Sequence, residues 1–61
     1  MQFTLSITLG NDAMQDAVDL ERALDKVRAQ VADLDGGWIT TADGGTVHDM
    51  NGNRVGDWSV S

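Results

Sequence analysis

Residues 12–35 of the chain read DAMQDAVDLERALDKVRAQVADLD, a stretch without glycine. Its apolar side chains recur at alternating intervals of four and three residues, the spacing that places side chains on one face of an α-helix. These positions are Ala13, Ala17, Leu20, Leu24, Val27, Val31 and Leu34. They form one stripe about 100° wide, so the segment predicts an amphipathic helix over residues 12–35.

Both ends of this predicted helix carry termination signals. Asp12 is the predicted N-cap because Gln15 follows three residues later, as a capping box requires, and Asn11 is the competing cap. Gly36 follows the last apolar position and predicts a left-handed C-cap.

The residues before the helix predict a β-strand over residues 2–9. The apolar residues Phe3, Leu5, Ile7 and Leu9 alternate strictly with Gln2, Thr4, Ser6 and Thr8. Alternation with a period of two indicates one buried face and one hydroxyl-lined face. Gly10 ends the strand.

Residues 37–60 predict further strands and a hairpin. The predicted order is a strand opened by Trp38 and Ile39, a turn at Asp43-Gly44-Gly45, a strand over 46–49, and a last strand over 54–60. Asn51-Gly52 marks the hairpin.

The hairpin has two possible registers. A two-residue loop at Asn51-Gly52 would place Val47 opposite Gly56. A type I turn that begins at Asp49 and closes with a left-handed Gly52 places Val47 opposite Val55, and we favour this pairing of β-branched residues. A β-bulge at Gly56 is also predicted, because it brings three apolar residues of the last strand to one face. They are Val55, Trp58 and Val60.

These elements predict a single α+β domain over residues 1–61, in which one helix packs on a small, mostly antiparallel sheet in the order β-α-β-β, with an optional fourth strand. The helix stripe is expected to meet the apolar face of the first strand together with Val47, Trp58 and one of Trp38 or Ile39. A coiled coil is the rival interpretation, since the stripe repeats every 3.5 residues, but Ala13 and Ala17 weaken it.

The composition disfavours several classes of function. Ten acidic residues face four basic ones, a net charge of −6, so direct binding to nucleic acid or to an anionic membrane is not expected. The chain contains neither a signal peptide pattern nor a long apolar run, so a cytoplasmic protein is predicted. One histidine and no cysteine leave a zinc site short of ligands, and no cofactor is predicted.

No motif for catalysis or metal binding stands out. His48 is the one histidine of the chain and has no nucleophile beside it, so a surface histidine is the simpler interpretation and no enzyme is predicted. Residues 49–53 resemble the start of a calcium loop. Arg54 then stands where that loop needs glycine and Val60 where it needs glutamate, so a turn explains the same residues.

A second, weak apolar strip along the predicted helix is a candidate surface for a partner. It consists of Met14, Val18, Ala29 and Ala32. Scattered exposed apolar residues would produce the same pattern, and both interpretations stay open. Trp38 and Trp58 are assigned to the core, because the chain has only three aromatic residues.

The run VHDMNGNRVGDW, residues 47–58, resembles the C-terminal hairpin of short uncharacterised proteins from actinobacteria and their phages. The resemblance covers about the last fifteen residues and the general layout. It implies a phage or actinobacterial accessory protein, and it implies no functional residue.

The sequence therefore predicts a non-enzymatic protein-binding accessory module, phage-encoded and self-associating as a homodimer, that acts on an unidentified host protein. Exposed sheet edges and a small core both favour a partner. The alternative is a DNA-mimic inhibitor of a nucleic-acid-binding enzyme. Basic residues interleaved with the acids of the helix weigh against that alternative, since they favour a mixed, solvated face.

Overall fold

The computed structural model describes the backbone of residues 1–61 and every side chain except that of Asp35. Its elements follow the order β1 (Phe3–Ile7), α1 (Ala17–Ala32), a short 3-10 turn (Asp35–Gly37), β2 (Gly44–His48) and β3 (Arg54–Val60). Over these described residues, one α-helix packs on a three-stranded antiparallel sheet, which confirms the predicted α+β class. None of the described helices has the length and hydrophobicity needed to cross a membrane.

β3 is the central strand, because the sheet order is β1-β3-β2. Trp58, in the middle of β3, lies opposite Leu5 on one side and opposite Gly45 on the other. The chain therefore brings its first and last strands together, and the hairpin strand β2 becomes the second edge.

The core lies between α1 and one face of the sheet. Its buried apolar residues are Met14, Ala23, Val27, Val47, Val55, Trp58 and Val60. Leu5, Ile7, Leu20, Val31 and Leu34 pack against them while half-buried. The predicted contribution of Val55, Trp58 and Val60 from one face of the last strand is confirmed.

The helix is shorter than predicted at both ends. Asp16, and not Asp12, is the N-cap, and its carboxylate accepts from the backbone N–H of Asp19 at 2.9 Å. The carboxylate of Asp19 in turn accepts from the backbone N–H of Gln15 at 3.0 Å. This pair resembles a capping box four residues later than predicted, except that the second bond comes from Gln15, the residue before the N-cap. The helix ends at Ala32 instead of residue 35.

A separate turn before α1 explains why the helix begins at Ala17 and not at residue 12. The side-chain oxygen of Asn11 accepts a hydrogen bond from the backbone N–H of Ala13 at 3.0 Å. The backbone carbonyl of Asn11 accepts one from the backbone N–H of Met14, also at 3.0 Å. This turn is not helical. Met14 therefore does not lie on the helix face on which the predicted helix over residues 12–35 places it. Met14 is 1% exposed, so its assignment to an accessible partner strip is wrong.

The segment after the helix also departs from its prediction. Trp38 and Ile39 belong to no strand, and Trp38 is 80% exposed, so its assignment to the core is wrong. The turn that precedes β2 lies at residues 40–43, where Thr40 N donates to the Asp43 carboxylate at 2.8 Å. Gly44 and Gly45 consequently open β2 instead of forming the turn.

The hairpin turn is confirmed and its register is corrected. Gly52 has φ 81° and donates to the carbonyl of Asp49 at 3.1 Å, as the left-handed closure predicts. Val47 lies opposite Gly56, not Val55, because the register shifts between Val47 and His48. The extra residue is therefore Val55, one position before the predicted bulge, and the bulge still leaves Val55 buried.

α1 lies nearer β2 than β1, so the first strand is covered only in part. Leu5 and Ile7 are half-buried, whereas Phe3 is 44% exposed and Leu9, beyond the end of β1, is also exposed. The Phe3 ring stacks on Trp58 with centroids 5.4 Å apart. The prediction that the whole apolar face of residues 2–9 meets the helix is therefore wrong at its two ends.

Gly56 provides a test of the β1–β3 contact. A Cβ at this position would collide with the carbonyl oxygen of Ser6 and lie 3.0 Å from the Cα of Ile7. Because both obstacles are backbone, we expect Gly56→Ala to lower the free energy of unfolding by about 1–3 kcal/mol in urea denaturation. Ser59→Ala, an exposed position on the same strand, is the control. A loss at Gly56 below about 0.5 kcal/mol would contradict the close approach.

Candidate interaction surface

The β1 edge of the sheet exposes unpaired backbone groups. Gln2 and Ser61 exchange backbone hydrogen bonds of 2.6 and 2.9 Å, and Thr8 N donates to Val55 O at 2.7 Å. Successive residues of an antiparallel strand direct their N–H and C=O groups to opposite sides. The even-numbered residues of this segment therefore bond β3, and three odd-numbered ones direct their backbone groups away from the sheet. They are Phe3, Leu5 and Ile7.

The β2 edge is covered by the helix. The carbonyls of Thr46 and His48 point outward, and they accept from Gln30 Nε2 and Lys26 Nζ, each at 2.8 Å. Four residues of a helix rise about 6.0 Å and two residues of a strand about 6.8 Å. The two spacings match closely enough for neighbouring turns of α1 to serve alternate carbonyls of β2.

Gln30 also accepts a hydrogen bond from the buried indole N–H of Trp58. Its Oε1 accepts from Trp58 Nε1 at 2.7 Å while its Nε2 donates to β2. The site needs glycine at position 45, because a Cβ there would lie 2.7 Å from the indole nitrogen. One amide side chain therefore connects the helix to both strands of the hairpin.

The side of the domain around β1 has no equivalent cover. Within the described chain, β1 pairs with β3 alone, and residues 3–7 contain no charge and no proline. Leu24 and Val31 lie on the flank of α1 opposite Lys26 and Gln30, since each residue advances about 100° around the helix. Leu24 is 44% exposed and Val31 is half-buried.

We call this surface the β1 flank. It comprises the outward backbone groups and side chains of Phe3, Leu5 and Ile7 together with Leu24 and Val31. Native proteins usually protect an edge strand with charges, proline, a bulge or a covering element. The β1 flank combines an edge without these protections with a half-exposed apolar row, so it is the candidate interaction surface.

The remaining residues of the predicted partner strip lie elsewhere. Val18, Ala29 and Ala32 are exposed on the face of α1 directed away from the sheet. Met14 is separated from them in the core. The role of these three residues in binding a partner stays a prediction.

Asp49 is a buried acidic residue that organises the hairpin turn. Its carboxylate accepts from Asn51 N and Asn53 N, each at 2.9 Å, from Asn11 Nδ2 at 3.0 Å and from Asn53 Nδ2 at 3.4 Å. Burial raises the pKa of this carboxyl, but the bonds from the Asn53 and Asn51 backbone and from the two side-chain amides outweigh burial and hold the pKa below its usual value. These bonds explain the residues that resemble a calcium loop.

The basic residues are interleaved with acids. Arg28 lies 3.2 Å from Asp25 and Arg54 lies 2.9 Å from Asp57, both three residues apart in sequence. Arg22 approaches Asp19 to 4.0 Å, and Lys26 is engaged at the β2 edge. The basic side chains are therefore distributed among the acids of the described surface.

A shallow cleft lies between the start of α1 and the hairpin turn. Met14, Ala23 and Met50 contribute to its walls, and it has room for about one water molecule. Among the described side chains, no group of three or more His, Asp or Glu residues is arranged to hold a metal ion. The cleft is therefore too small to hold a ligand larger than a water molecule, and we take the β1 flank as the candidate site.

The chain matches no protein family, no curated protein and no solved structure.

The sequence reasoning missed the covering of β2, and one signal for it was present. Lys26 and Gln30 are long polar residues that lie beside the apolar stripe and are four positions apart. This spacing lets side chains of a helix reach alternate residues of a strand. The apolar stripe also predicts Leu24 in the core, whereas Leu24 lies at the edge of the stripe on the uncovered side and is exposed.

We expect Gln30→Leu to lower the free energy of unfolding by about 1–3 kcal/mol, because the indole N–H of Trp58 would stay buried without an acceptor. Urea denaturation followed by tryptophan fluorescence measures the loss. Gln15→Leu is the matched control, because Gln15 is exposed and its side chain makes no hydrogen bond to the side chains and backbone that the structure describes. Equal stabilities of the two variants would refute the role of Gln30.

Asp49 makes stability depend on pH. Because its pKa is lower in the folded state, the stabilisation is fully present above the unfolded value of 3.8 and is lost as pH falls through the folded pKa. Asp49→Asn should be less stable than the wild type at neutral pH, and the gap should shrink as pH falls from about 5 to about 2. A gap in urea midpoints that stays constant across this range would contradict the assignment.

Proposed function

We propose that this protein is a non-enzymatic protein-binding accessory module of the cytoplasm that self-associates and acts on a host protein. The observation that carries the proposal is the β1 flank. An unpaired strand edge offers backbone hydrogen bonds to another strand, and the apolar side chains beside it offer area to bury.

The small size of the core supports the same proposal. A 61-residue chain buries only about 60% of the surface that its unfolded form exposes, so it is marginal alone. No disulfide can compensate, because the chain has no cysteine. Covering Phe3 and Leu24 with a partner would remove further apolar surface from water and stabilise the fold.

We propose a phage or actinobacterial origin for this protein because residues 47–58 resemble the C-terminal hairpin of short proteins from actinobacteria and their phages. Those residues form the end of β2, the Asp49 turn and five of the seven residues of β3, which are structural features. Capture from an actinobacterial lysate with the wild-type protein would identify the host protein.

The DNA-mimic alternative receives less support. Arg28 and Arg54 pair with neighbouring acids, so the negative charge is broken along the surface. The β1 flank is uncharged and would play no part in imitating phosphates. A DNA mimic should bind its target more weakly as salt rises, whereas association through the β1 flank has no ion pair to screen.

Self-association makes stability depend on protein concentration. We expect the melting temperature to rise when the concentration is increased from about 1 to about 200 μM, because mass action stabilises the associated state. Static light scattering over the same range should show the mass rising above that of the 6.5 kDa chain.

Added salt provides the control for this measurement. Two copies with a net charge of −6 repel each other, so screening should strengthen association through an uncharged surface. A mass of one chain and a constant melting temperature at every concentration, at both low and high salt, would refute self-association.

A further inference from the structure

We propose that the occupant of the β1 edge is a second copy of this chain, paired antiparallel through β1 with Leu5 on the two-fold axis. The two sheets then form one continuous six-stranded sheet with both helices on the same face. This inference rests on the proposed function, and it specifies the partner and the geometry of the same surface.

The direction of the backbone groups restricts the register. Only Phe3, Leu5 and Ile7 point outward, so hydrogen-bonded pairs across the new interface must join odd-numbered residues. Centring on Leu5 pairs Phe3 with Ile7 of the partner subunit and uses the whole of β1. A shift by two residues in either direction leaves part of the edge unpaired.

The side chains also match in this arrangement. A two-fold axis perpendicular to the sheet keeps the core faces of both copies on the same side, so Leu5 meets Leu5 of the partner subunit. Phe3 meets Ile7 of the partner subunit, an aromatic–aliphatic pair of the kind that stabilises sheets. Thr4 and Ser6 face each other on the opposite, hydroxyl-lined side.

The distribution of charge makes this edge a favourable place for a second copy. Copies with a net charge of −6 repel each other, and the repulsion is smallest where charges are most distant from the contact. Residues 1–11 contain no charged side chain, and they include all of β1. The opposite edge is unsuitable, because Lys26 and Gln30 already occupy its carbonyls.

Cysteine cross-linking tests the register. Thr4 and Ser6 are exposed, and the proposal places them as a non-hydrogen-bonded pair with Cα atoms about 4.5 Å apart, within the range that disulfides span. A mixture of Thr4→Cys and Ser6→Cys copies should therefore oxidise mainly to the mixed dimer. Each variant alone should cross-link at least tenfold less, because identical positions lie about 7–8 Å apart.

Thr46→Cys is the matched control, since Thr46 is exposed on the same face of the sheet but belongs to the covered edge. It should not cross-link, alone or mixed. Faster cross-linking of Thr4→Cys alone, or of Ser6→Cys alone, would overturn the two-fold axis at Leu5.

A charged variant tests the edge without relying on a thiol. The double variant Thr4→Lys, Ser6→Lys places lysines directly opposite each other across the interface, a destabilising pair. It also lowers the overall repulsion between copies, because it reduces the net negative charge. We expect the dissociation constant, measured by sedimentation equilibrium, to rise at least tenfold, while Thr46→Lys leaves it within twofold.

The outcomes separate this inference from the function on which it rests. A wild type that associates while the double variant associates equally well would overturn pairing through β1 and leave self-association standing. A wild type that sediments as one chain at every concentration would overturn both. Circular dichroism of the double variant confirms that it is folded, and its lysine at position 6 lies opposite Asp57, which favours the native sheet.

Discussion

The side-chain amide of Gln30 is the contact on which the arrangement of the layers depends. It accepts from the indole of Trp58 and donates to the carbonyl of Thr46, so it satisfies a buried donor of the central strand and an outward acceptor of the edge strand. A buried donor without a partner costs about 1–3 kcal/mol, a large fraction of the stability of so small a domain. The helix is therefore held at the β2 side of the sheet by polar requirements as well as by apolar packing.

This placement makes the two sheet edges unequal. Lys26 and Gln30 cover the β2 edge. Because the helix lies close to β2, Phe3 of the β1 edge and Leu24 on the adjacent side of the helix are each 44% exposed. A single helix, about 10 Å wide, cannot cover both edges of a three-stranded sheet when it is held close to one of them. The apolar alternation of the first strand, which is typical of a strand with one buried face, therefore leaves Phe3 exposed and Leu5 and Ile7 half-buried.

Aspartate is abundant in this chain for a structural reason. Asp16 and Asp19 cap the start of the helix, Asp43 closes the turn before β2 and Asp49 organises the hairpin, and each accepts at least one backbone N–H. A short carboxylate can bond a nearby backbone group in turns and caps, where a longer side chain cannot. Four of the ten acidic residues therefore have a role in caps and turns.

The order of the elements, the α+β class and the left-handed closure of the hairpin at Gly52 follow from the sequence alone, because they depend on local periodicity and on the conformational freedom of glycine. The start of the helix did not follow, since Asp12 and Asp16 are equivalent signals and only the turn at Asn11, tied to Asp49 38 residues away, selects between them. Long-range contacts of this kind also buried Met14, left Trp38 in solvent and chose which edge of the sheet the helix covers. Those outcomes depend on which elements meet in three dimensions, and no local pattern contains that information.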